Sequence, residues 1–367
     1  MSMKRSRVMW LITLAFVLGA PESWAQTGAT RISAAVECPS CRISVDSLST
    51  ISGLSFESAP STLRRDPFGN VFAIKDGVVS QFDKNGKPLR RIGRRGGGPG
   101  EYEQVRNILV DRDGTLHLLD AALARHTWYS PQGNFIASAP ITVAGGIGLD
   151  AVLWGSRRVV VNVRARPGKT SPLLVANTDG SSSFLEDEVE DIQLRWLHRR
   201  LLVGRRNGEL LVARPYAFEL RTYSPNLKKL TTHLLPNKFS GAPAPRSEPS
   251  DGLFDKAFTP SVGGIWEDEA SNIWILSILP HPDWKPVARP IGGKPLEEAR
   301  MEELLRRPRI QLLVEVIDLK RLRLIARQQI DVAIGVPVGD GIFASSREDP
   351  FSEEPSLRFV QLRLERR

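Results

Sequence analysis

The chain is poor in cysteine and histidine, and after its first 25 residues it has no long apolar run. Its 367 residues include two cysteines and five histidines, which excludes a small scaffold held together by disulfides. The lack of long apolar runs excludes a protein with several membrane-spanning helices. With 41% hydrophobic and 25% charged residues, the composition is that of a folded chain with one large domain or two ordinary ones.

Lysine is also scarce, since 38 of the 50 basic residues are arginine and 12 are lysine. The arginines lie in scattered pairs among carboxylates, such as Arg64-Arg65 and Arg205-Arg206, and no nucleic-acid motif accompanies them. We therefore expect a solvated basic surface and no nucleic-acid partner. The net charge of +9 leaves attraction to anionic polysaccharide or lipid headgroups as a secondary effect.

The first 25 residues have the order of a secretory signal peptide. Basic residues within 4–7 precede an apolar run at 10–18, and the small residues Ser23 and Ala25 fit a peptidase site. The run is shorter than the roughly 20 residues that a spanning helix needs. We predict cleavage after Ala25, a mature chain without a transmembrane segment, and a periplasmic or secreted location. An uncleaved N-terminal anchor stays open as the alternative.

The body of the chain repeats. Residues 66–74 and 111–119 each begin with an Asp/Gly turn that leads into an alternating apolar strand. A second turn follows in each copy, at 83–86 and 130–133. One unit therefore reads as four antiparallel strands in about 40 to 50 residues, which is typical of a propeller blade.

The repeats predict an all-β fold, a six-bladed β-propeller in one domain over 26–367. Weaker copies of the unit cover 146–187, 197–235 and 261–330. Residues 332–367 supply three strands of a last blade, and the alternating stretch 43–53 is available as its fourth strand. An N-terminal strand completing the last blade would close the ring and hide its sheet edges. Five or seven blades remain alternatives.

A helical insertion is predicted within the fifth blade. It covers about 280–309, between the second and third strands, and contains the pattern Pro-Leu-Glu-Glu-Ala-Arg-Met-Glu-Glu-Leu-Leu-Arg-Arg at 295–307. The apolar residues of this pattern fall on roughly one helix face.

The most specific motif lies between residues 82 and 125. It joins the turn Asp83-Lys-Asn-Gly86, the run Gly96-Gly-Gly-Pro-Gly-Glu-Tyr102 and the turn Asp111-Arg-Asp-Gly114. This segment resembles the NHL-type repeat. More closely, it resembles six-bladed propeller proteins exported by many Gram-negative bacteria, in which a Gly-Pro-Gly-Glu-Phe/Tyr run marks the blade junction. The resemblance implies the fold and no settled activity.

We expect this motif to be structural. Its glycines allow positive φ and close backbone approach, and its carboxylates and arginine are expected to satisfy backbone groups and each other. A strand follows the glycines, whereas a phosphate-binding loop needs a helix N-terminus there. The residues assigned to the motif are Gly93, Gly96, Gly98, Pro99, Gly100, Glu101, Asp120 and Arg125.

Cys38 and Cys41 are the two thiols of the chain. In an oxidising compartment we expect them to form a disulfide. A redox-active pair would need a helix start to lower a thiol pKa, and strand-like sequence follows instead.

Metal binding is left open by the sequence. The histidines form no close motif, and they are His117, His126, His198, His233 and His281. His117 lies in an alternating strand and is expected to pack. Propellers of the NHL-type lyase group hold zinc across blades and propeller lactonases hold calcium, so either ion would fit the resemblance. Asp150, Glu267 and Asp268 are the calcium candidates, although Asp268 also fits a turn. No cofactor is required.

The predicted connections point to a binding face. The long ones, at 93–104, 236–260, 280–309 and 346–356, should all leave the ring on one side. The candidate ligand-binding residues are Arg94, Arg95, Arg106, Asp150 and Trp284. We predict an exported monomeric module that binds a protein or a small-molecule or saccharide ligand through this face. The alternative is a metal-dependent lyase or lactonase with its site at the central channel.

Overall fold

The structure is a computed structural model, and the part it describes consists entirely of β-strands joined by turns and loops. The described residues are 29–52, 62–75, 77–141, 147–155, 158–163, 173–185, 200–237, 260–283, 310–330, 334–347 and 356–366. The predicted signal peptide, the helix predicted for 295–307, His198 and Trp284 lie outside them.

Three strands precede the first complete sheet. They are β1 (Ala29–Arg31), β2 (Ser33–Val36) and β3 (Arg42–Ser52). Each of them joins a sheet formed by a later part of the chain.

Six sheets then follow in chain order, and we number them as blades 1 to 6. Blade 1 contains β4 (Leu63–Arg65), β5 (Val71–Lys75), β6 (Val78–Phe82) and β7 (Pro88–Arg91). The junction to the next blade holds the short parallel pair β8 (Arg94–Arg95) and β9 (Glu101–Tyr102). Blade 2 contains β10 (Val105–Val110), β11 (Leu116–Asp120), β12 (Arg125–Tyr129) and β13 (Phe135–Pro140).

The next two blades have the same order. Blade 3 contains β14 (Ile147–Leu153), β15 (Arg158–Val163), β16 (Leu173–Asn177) and β17 (Ser182–Leu185). Blade 4 contains β18 (Leu201–Gly204), β19 (Leu210–Arg214), β20 (Glu219–Tyr223) and β21 (Lys229–Leu234).

The last two blades complete the ring. Blade 5 contains β22 (Ser261–Glu267), β23 (Ile273–Pro280), β24 (Ile310–Asp318) and β25 (Arg323–Ile330). Blade 6 contains β26 (Val336–Gly339), β27 (Ile342–Arg347) and β28 (Ser356–Glu365). Its fourth strand is β3, which runs antiparallel to β28 from Arg42 opposite Glu365 to Ser52 opposite Ser356. The fold is therefore a six-bladed β-propeller.

Blades 4 and 5 each carry a fifth strand that the sequence did not predict. β1 pairs in parallel with β21, and β2 pairs in parallel with β25. A backbone bond from Ile32 N to Leu234 O (3.0 Å) and another from Ser33 N to Leu322 O (3.0 Å) continue this pairing from one blade to the next. A disulfide between Cys38 and Cys41 lies just before β3.

The core lies between the blades. The buried apolar residues form six clusters, and each cluster joins one pair of neighbouring blades. Strand alternation explains this arrangement, because successive side chains of one strand point to opposite faces of its sheet. Each blade therefore packs on both of its neighbours.

The first strand of each blade lies on the inside of the ring. Neighbouring first strands contact each other in the series β4, β10, β14, β18 and β22, and β26 contacts β4. They surround the central channel. The turns after the first and third strands leave one end of the ring, which we call the turn end. The connections after the second and fourth strands leave the other end, which we call the loop end.

The inner strands approach closely at Gly204, the last residue of β18. A Cβ atom there would lie 2.1 Å from the Leu153 carbonyl oxygen of blade 3. The neighbouring backbone leaves no room for a methyl group, so glycine at this position sets the spacing between blades 3 and 4.

We predict that Gly204→Ala destabilises the fold by about 2 kcal/mol or more, because the clash is with backbone that cannot rotate away. Urea unfolding followed by fluorescence measures the effect. Gly97→Ala is the matched control, since nothing lies within 4 Å of its added Cβ atom. Equal stability of the two variants would contradict the close approach.

Candidate functional site in the central channel

Three charged residues of the inner strands lie beside the central channel. Arg64 belongs to β4, Arg106 to β10 and Asp150 to β14, and all three are half-buried. They come from three successive blades. The first strand of a blade borders the channel, so each of these side chains is placed near the ring axis.

Arg64 and Asp150 interact across the ring. Loss of hydration lowers the pKa of Arg64 to about 10, and the negative charge of Asp150 opposes this change. Blade 2 separates the two residues in the ring, so the attraction runs across the inside of the propeller. Arg64 Nη1 also donates a hydrogen bond to the Leu63 carbonyl oxygen at 2.8 Å. Arg64 is thus a half-buried cation that is held by its own backbone and attracted by Asp150.

The turn end of the channel carries charges of both signs. Asp340 lies in the turn after β26 and is exposed. The surrounding protein removes part of its hydration and so raises its pKa, whereas the positive charges of Arg206 and Arg112 oppose this rise. Glu267 accepts hydrogen bonds from Arg205 Nε at 3.2 Å and from the Arg206 backbone N–H at 2.6 Å. Acidic and basic groups therefore compensate each other at this end.

At the blade junction, Glu101 is held by its own loop. Its Oε2 accepts a hydrogen bond from Gly98 N at 2.7 Å, and its Oε1 accepts one from Arg94 Nε at 2.6 Å. These contacts lower the pKa of Glu101, with the Gly98 bond as the larger cause. The Arg94 side chain is 81% exposed and Arg95 is exposed, so both remain accessible although Arg94 is paired.

Asp120 and Arg125 fix the same junction through backbone groups. Asp120 accepts hydrogen bonds from four backbone N–H groups, those of Glu103, Gln104, Ala122 and Leu123. Arg125 donates to three carbonyl oxygens, those of Gly97, Gly98 and Glu101. In the described part of the chain the two side chains share no hydrogen bond. The expectation that they also satisfy each other is therefore wrong, because backbone partners occupy both.

The glycines of the junction have the backbone that the motif predicts. Gly93, Gly96 and Gly100 have positive φ values of 62°, 149° and 71°. A Cβ atom at Gly96 or Gly98 would lie within 3 Å of Glu101 Oε2. Pro99 stands between these glycines, so the loop can fold tightly around the glutamate.

A histidine pair is buried in blade 2, and the sequence did not indicate it. His117 Nδ1 lies 2.8 Å from His126 Nε2, and the side chains are 4% and 1% exposed. Trp128 packs against the imidazole of His126, with 4.9 Å between the ring centroids. The two histidines lie on adjacent strands in a diagonal register. The sequence signal is the β11–β12 hairpin. If its two strands are paired in the correct register, the two histidines come to lie on the same face.

The calcium candidates of blade 5 have structural partners. Asp268 accepts hydrogen bonds from Asn272 N at 2.8 Å and from Trp274 Nε1 at 2.9 Å, which makes it a turn residue. Across the described ranges, no three His, Cys, Asp or Glu side chains come together in a way that could hold a metal ion.

Comparison with known proteins agrees with the fold. Residues 75–141 match a family model, DUF5128, described as a 6-bladed beta-propeller. A member of the DUF4221 family from Bacteroides vulgatus has a TM-score of 0.57 at 11% identity, with 89% of this chain and 99% of that chain covered. The resemblance to bacterial six-bladed propellers is confirmed.

Two further solved structures are similar at lower scores. A protein of Bacteroides fragilis, named as a candidate exported protein, has a TM-score of 0.48 at 10% identity and covers 91% of this chain and 99% of its own. Virginiamycin B lyase from Staphylococcus aureus has a TM-score of 0.43 at 9% identity, with 88% and 100% covered. Such likeness concerns the fold alone. Among curated proteins, none matches this sequence.

The described residues contain no helix long and apolar enough to cross a membrane.

The buried histidine pair predicts a stability that depends on pH. Burial lowers the pKa of His117 from 6.5 to about 4 and that of His126 to about 3. Asp111 and Asp113 partly oppose the shift at His117. Protonation therefore favours the unfolded chain, and stability is lost as the pH falls below about 6.5.

We expect the free energy of unfolding at pH 5 to be lower than at pH 7.5 by about 2 kcal/mol per histidine. Urea unfolding at the two pH values measures this difference. The double variant His117→Leu/His126→Leu should lose most of it, whereas His281→Leu, in a loop, should keep it. An unchanged pH difference in the double variant would contradict the assignment.

Proposed function

We propose that the protein is an exported binding module that takes an anionic ligand at the loop end of its central channel. The observation that carries this proposal is the placement of two half-buried arginines, Arg64 and Arg106, on the neighbouring inner strands of blades 1 and 2. An anion in the channel would be attracted by both guanidinium groups. An acidic saccharide is the ligand class that we favour.

Arg106 supports the loop end as the place of entry. It is the second residue of β10, which runs from the loop end to the turn end, and it is half-buried. A ligand that enters from the loop end would meet Arg106 before Arg64. Arg94 and Arg95 lie at the adjoining blade junction and add positive charge on the approach.

Asp150 has a separate role in this proposal. Its charge attracts Arg64 across the ring, so it keeps the guanidinium in the channel when no ligand is bound. A carboxylate there also opposes anions in general. We therefore expect Asp150 to favour ligands that carry hydroxyl donors beside their negative charge, as acidic saccharides do.

The turn end of the channel is less favourable for an anionic ligand. Glu267 and Asp340 already face the arginines there, and their negative charges would repel an anionic ligand. The connections of the loop end are also the longer ones, since residues 281–309 join β23 to β24 and residues 235–260 join β21 to β22.

We test ligand binding by calorimetry at low ionic strength with trigalacturonic acid, and with maltotriose as the neutral control. We expect trigalacturonic acid to bind more tightly than maltotriose, and Arg106→Ala to weaken its binding at least tenfold because a half-buried cation is lost. Arg112→Ala is the matched control. It removes an arginine from the same blade at the turn end.

Equal loss of affinity in the two arginine variants would indicate general electrostatic attraction and contradict a site at the loop end. Equal affinity for the acidic and the neutral trisaccharide would contradict the anionic ligand. Melting temperatures of both variants show that each one is folded.

Export is part of the same proposal, and the composition of residues 1–25 supports it. Expression of the full chain in a Gram-negative host should give periplasmic protein whose N-terminus is Gln26, as measured by intact mass. An Ala25→Arg variant should accumulate with residues 1–25 attached, because the peptidase requires a small residue at that position. Full-length wild-type protein held in the membrane would favour the uncleaved anchor.

A further inference from the structure

The outer rim of the ring differs from blade to blade. β1 and β2 extend blades 4 and 5, and β3 forms the outer strand of blade 6. β7 and β13 are the outermost strands of blades 1 and 2, and no strand of the described ranges pairs with their outer edges. All four residues of β7 are exposed. The rim of blades 1 and 2 is therefore open to a partner.

This part of the rim is strongly basic. Residues 83–95 contain six basic side chains and one acidic side chain, that of Asp83. Asp83 Oδ1 accepts hydrogen bonds from the N–H groups of Asn85 and Lys87 in its own turn. Arg94 is paired with Glu101, and among the described residues no carboxylate pairs with the other five. The six exposed basic residues are Lys84, Lys87, Arg90, Arg91, Arg94 and Arg95.

Exposed apolar side chains lie among these charges. β7 and β13 each contain a β-bulge, at Leu89 and at Ile136, which have no single partner on the neighbouring strand. A bulge interrupts the regular ladder and re-aims a side chain. Leu89 is 43% exposed and Ile136 is 50% exposed. Phe135, next to the second bulge, is 41% exposed, so three large apolar side chains face solvent on this rim.

Contacts between blades 1 and 2 join the basic and apolar groups into one surface. Arg90 Nη1 donates a hydrogen bond to the Gln132 carbonyl oxygen of blade 2. A Cβ atom at Gly100 would lie 3.1 Å from Phe135 Cβ, so Phe135 packs on the junction loop that carries β8 and its two arginines. We call this surface the rim patch. It consists of the exposed basic residues between 84 and 95 together with the three apolar residues of β7 and β13.

We propose that the rim patch binds the surface of a bilayer that contains anionic phospholipid. The lysine and arginine side chains contact the phosphate groups, whose negative charge attracts basic residues near the membrane surface. Leu89, Phe135 and Ile136 enter the boundary between the headgroups and the acyl chains. The protein lies on the membrane through blades 1 and 2, and no part of the rim patch crosses it.

The rim patch fits a bilayer better than an acidic protein. Four of its six basic side chains make no hydrogen bond with any described residue, and they are Lys84, Lys87, Arg91 and Arg95. Long side chains of this kind can follow a fluid layer of phosphate groups while their apolar stems stay on the protein. An acidic protein surface would meet the charges but would leave the three exposed apolar side chains without an apolar environment.

The test is sedimentation with vesicles of equal parts phosphatidylglycerol and phosphatidylcholine, and with vesicles of phosphatidylcholine alone. The protein used begins at Gln26, because the apolar run at 10–18 would itself enter a bilayer. Every described strand lies beyond this residue. We expect at least tenfold tighter binding to the anionic vesicles, and we expect added salt to weaken it because salt screens exposed charges.

A pair of charge variants locates the binding surface. Lys87→Glu/Arg91→Glu should weaken binding to the anionic vesicles at least tenfold. The matched control is Lys228→Glu/Lys229→Glu in blade 4, which makes the same change in net charge. Lys87 and Lys228 hold equivalent turn positions, because the N–H group of each bonds the first side chain of its turn. The control strand also carries an exposed bulge residue, Leu230. The control should bind like the wild type.

A second pair of variants tests the apolar contribution. Phe135→Ser should weaken binding severalfold at low and at high salt, because salt does not screen the burial of an apolar side chain. Phe184→Ser is the matched control, since Phe184 lies in β17, the outer strand of blade 3, and is 54% exposed. It should leave vesicle binding unchanged. Melting temperatures show that all four variants are folded.

Several results would overturn the inference. These are equal binding to the two kinds of vesicle, equal loss of binding in the two charge variants, or equal effects of the two serine variants. Binding to soluble polyglutamate that is as tight as binding to the anionic vesicles would indicate an acidic protein as the partner, and it would overturn the inference as well. Arg106→Ala should leave vesicle binding unchanged, which keeps this test independent of the channel site.

Discussion

Packing of apolar residues between neighbouring blades is the interaction on which the whole ring depends. Each of the six clusters needs a sheet on both sides, so the last blade must be complete for two of them to form. β3 meets this need, because its Ile43 belongs to the cluster between blades 5 and 6 and its Ile51 to the cluster between blades 6 and 1. One N-terminal strand therefore stabilises both faces of blade 6, and its loss would expose two apolar surfaces at once.

The N-terminal segment joins more of the ring than one blade. Residues 29–52 cross three blades in order, through β1 on blade 4, β2 on blade 5 and β3 on blade 6. Ile32 lies in the apolar cluster between blades 4 and 5. The segment therefore forms a strap across the rim of the ring. Local features such as the Cys38–Cys41 disulfide lie within this strap.

Features with a short-range cause could be predicted from the sequence. The Asp/Gly turns and the alternation beside them predicted β5 and β11, the strands that follow the turns in blades 1 and 2, because a turn residue bonds its own backbone wherever the chain goes. Asp66 and Asp268 hold their turns in the same way, through the N–H groups of Asn70 and Asn272.

β1 and β2 were missed because they are short, pair in parallel and have no turn signal. The His117–His126 contact was missed because it depends on strand register, and the electrostatic attraction between Arg64 and Asp150 was missed because it depends on ring closure.

Tight packing also determines where this molecule can bind anything. Both faces of every blade are covered by apolar neighbours, so few polar groups inside the ring can reach a ligand. The places left for a ligand are the channel, where the inner edges of the sheets meet, and the rim, where the outer edges separate. In the channel, three charged residues of successive inner strands, Arg64, Arg106 and Asp150, are half-buried. A ligand that reaches these charged groups would therefore add more stability than one that meets only the closed faces of the blades.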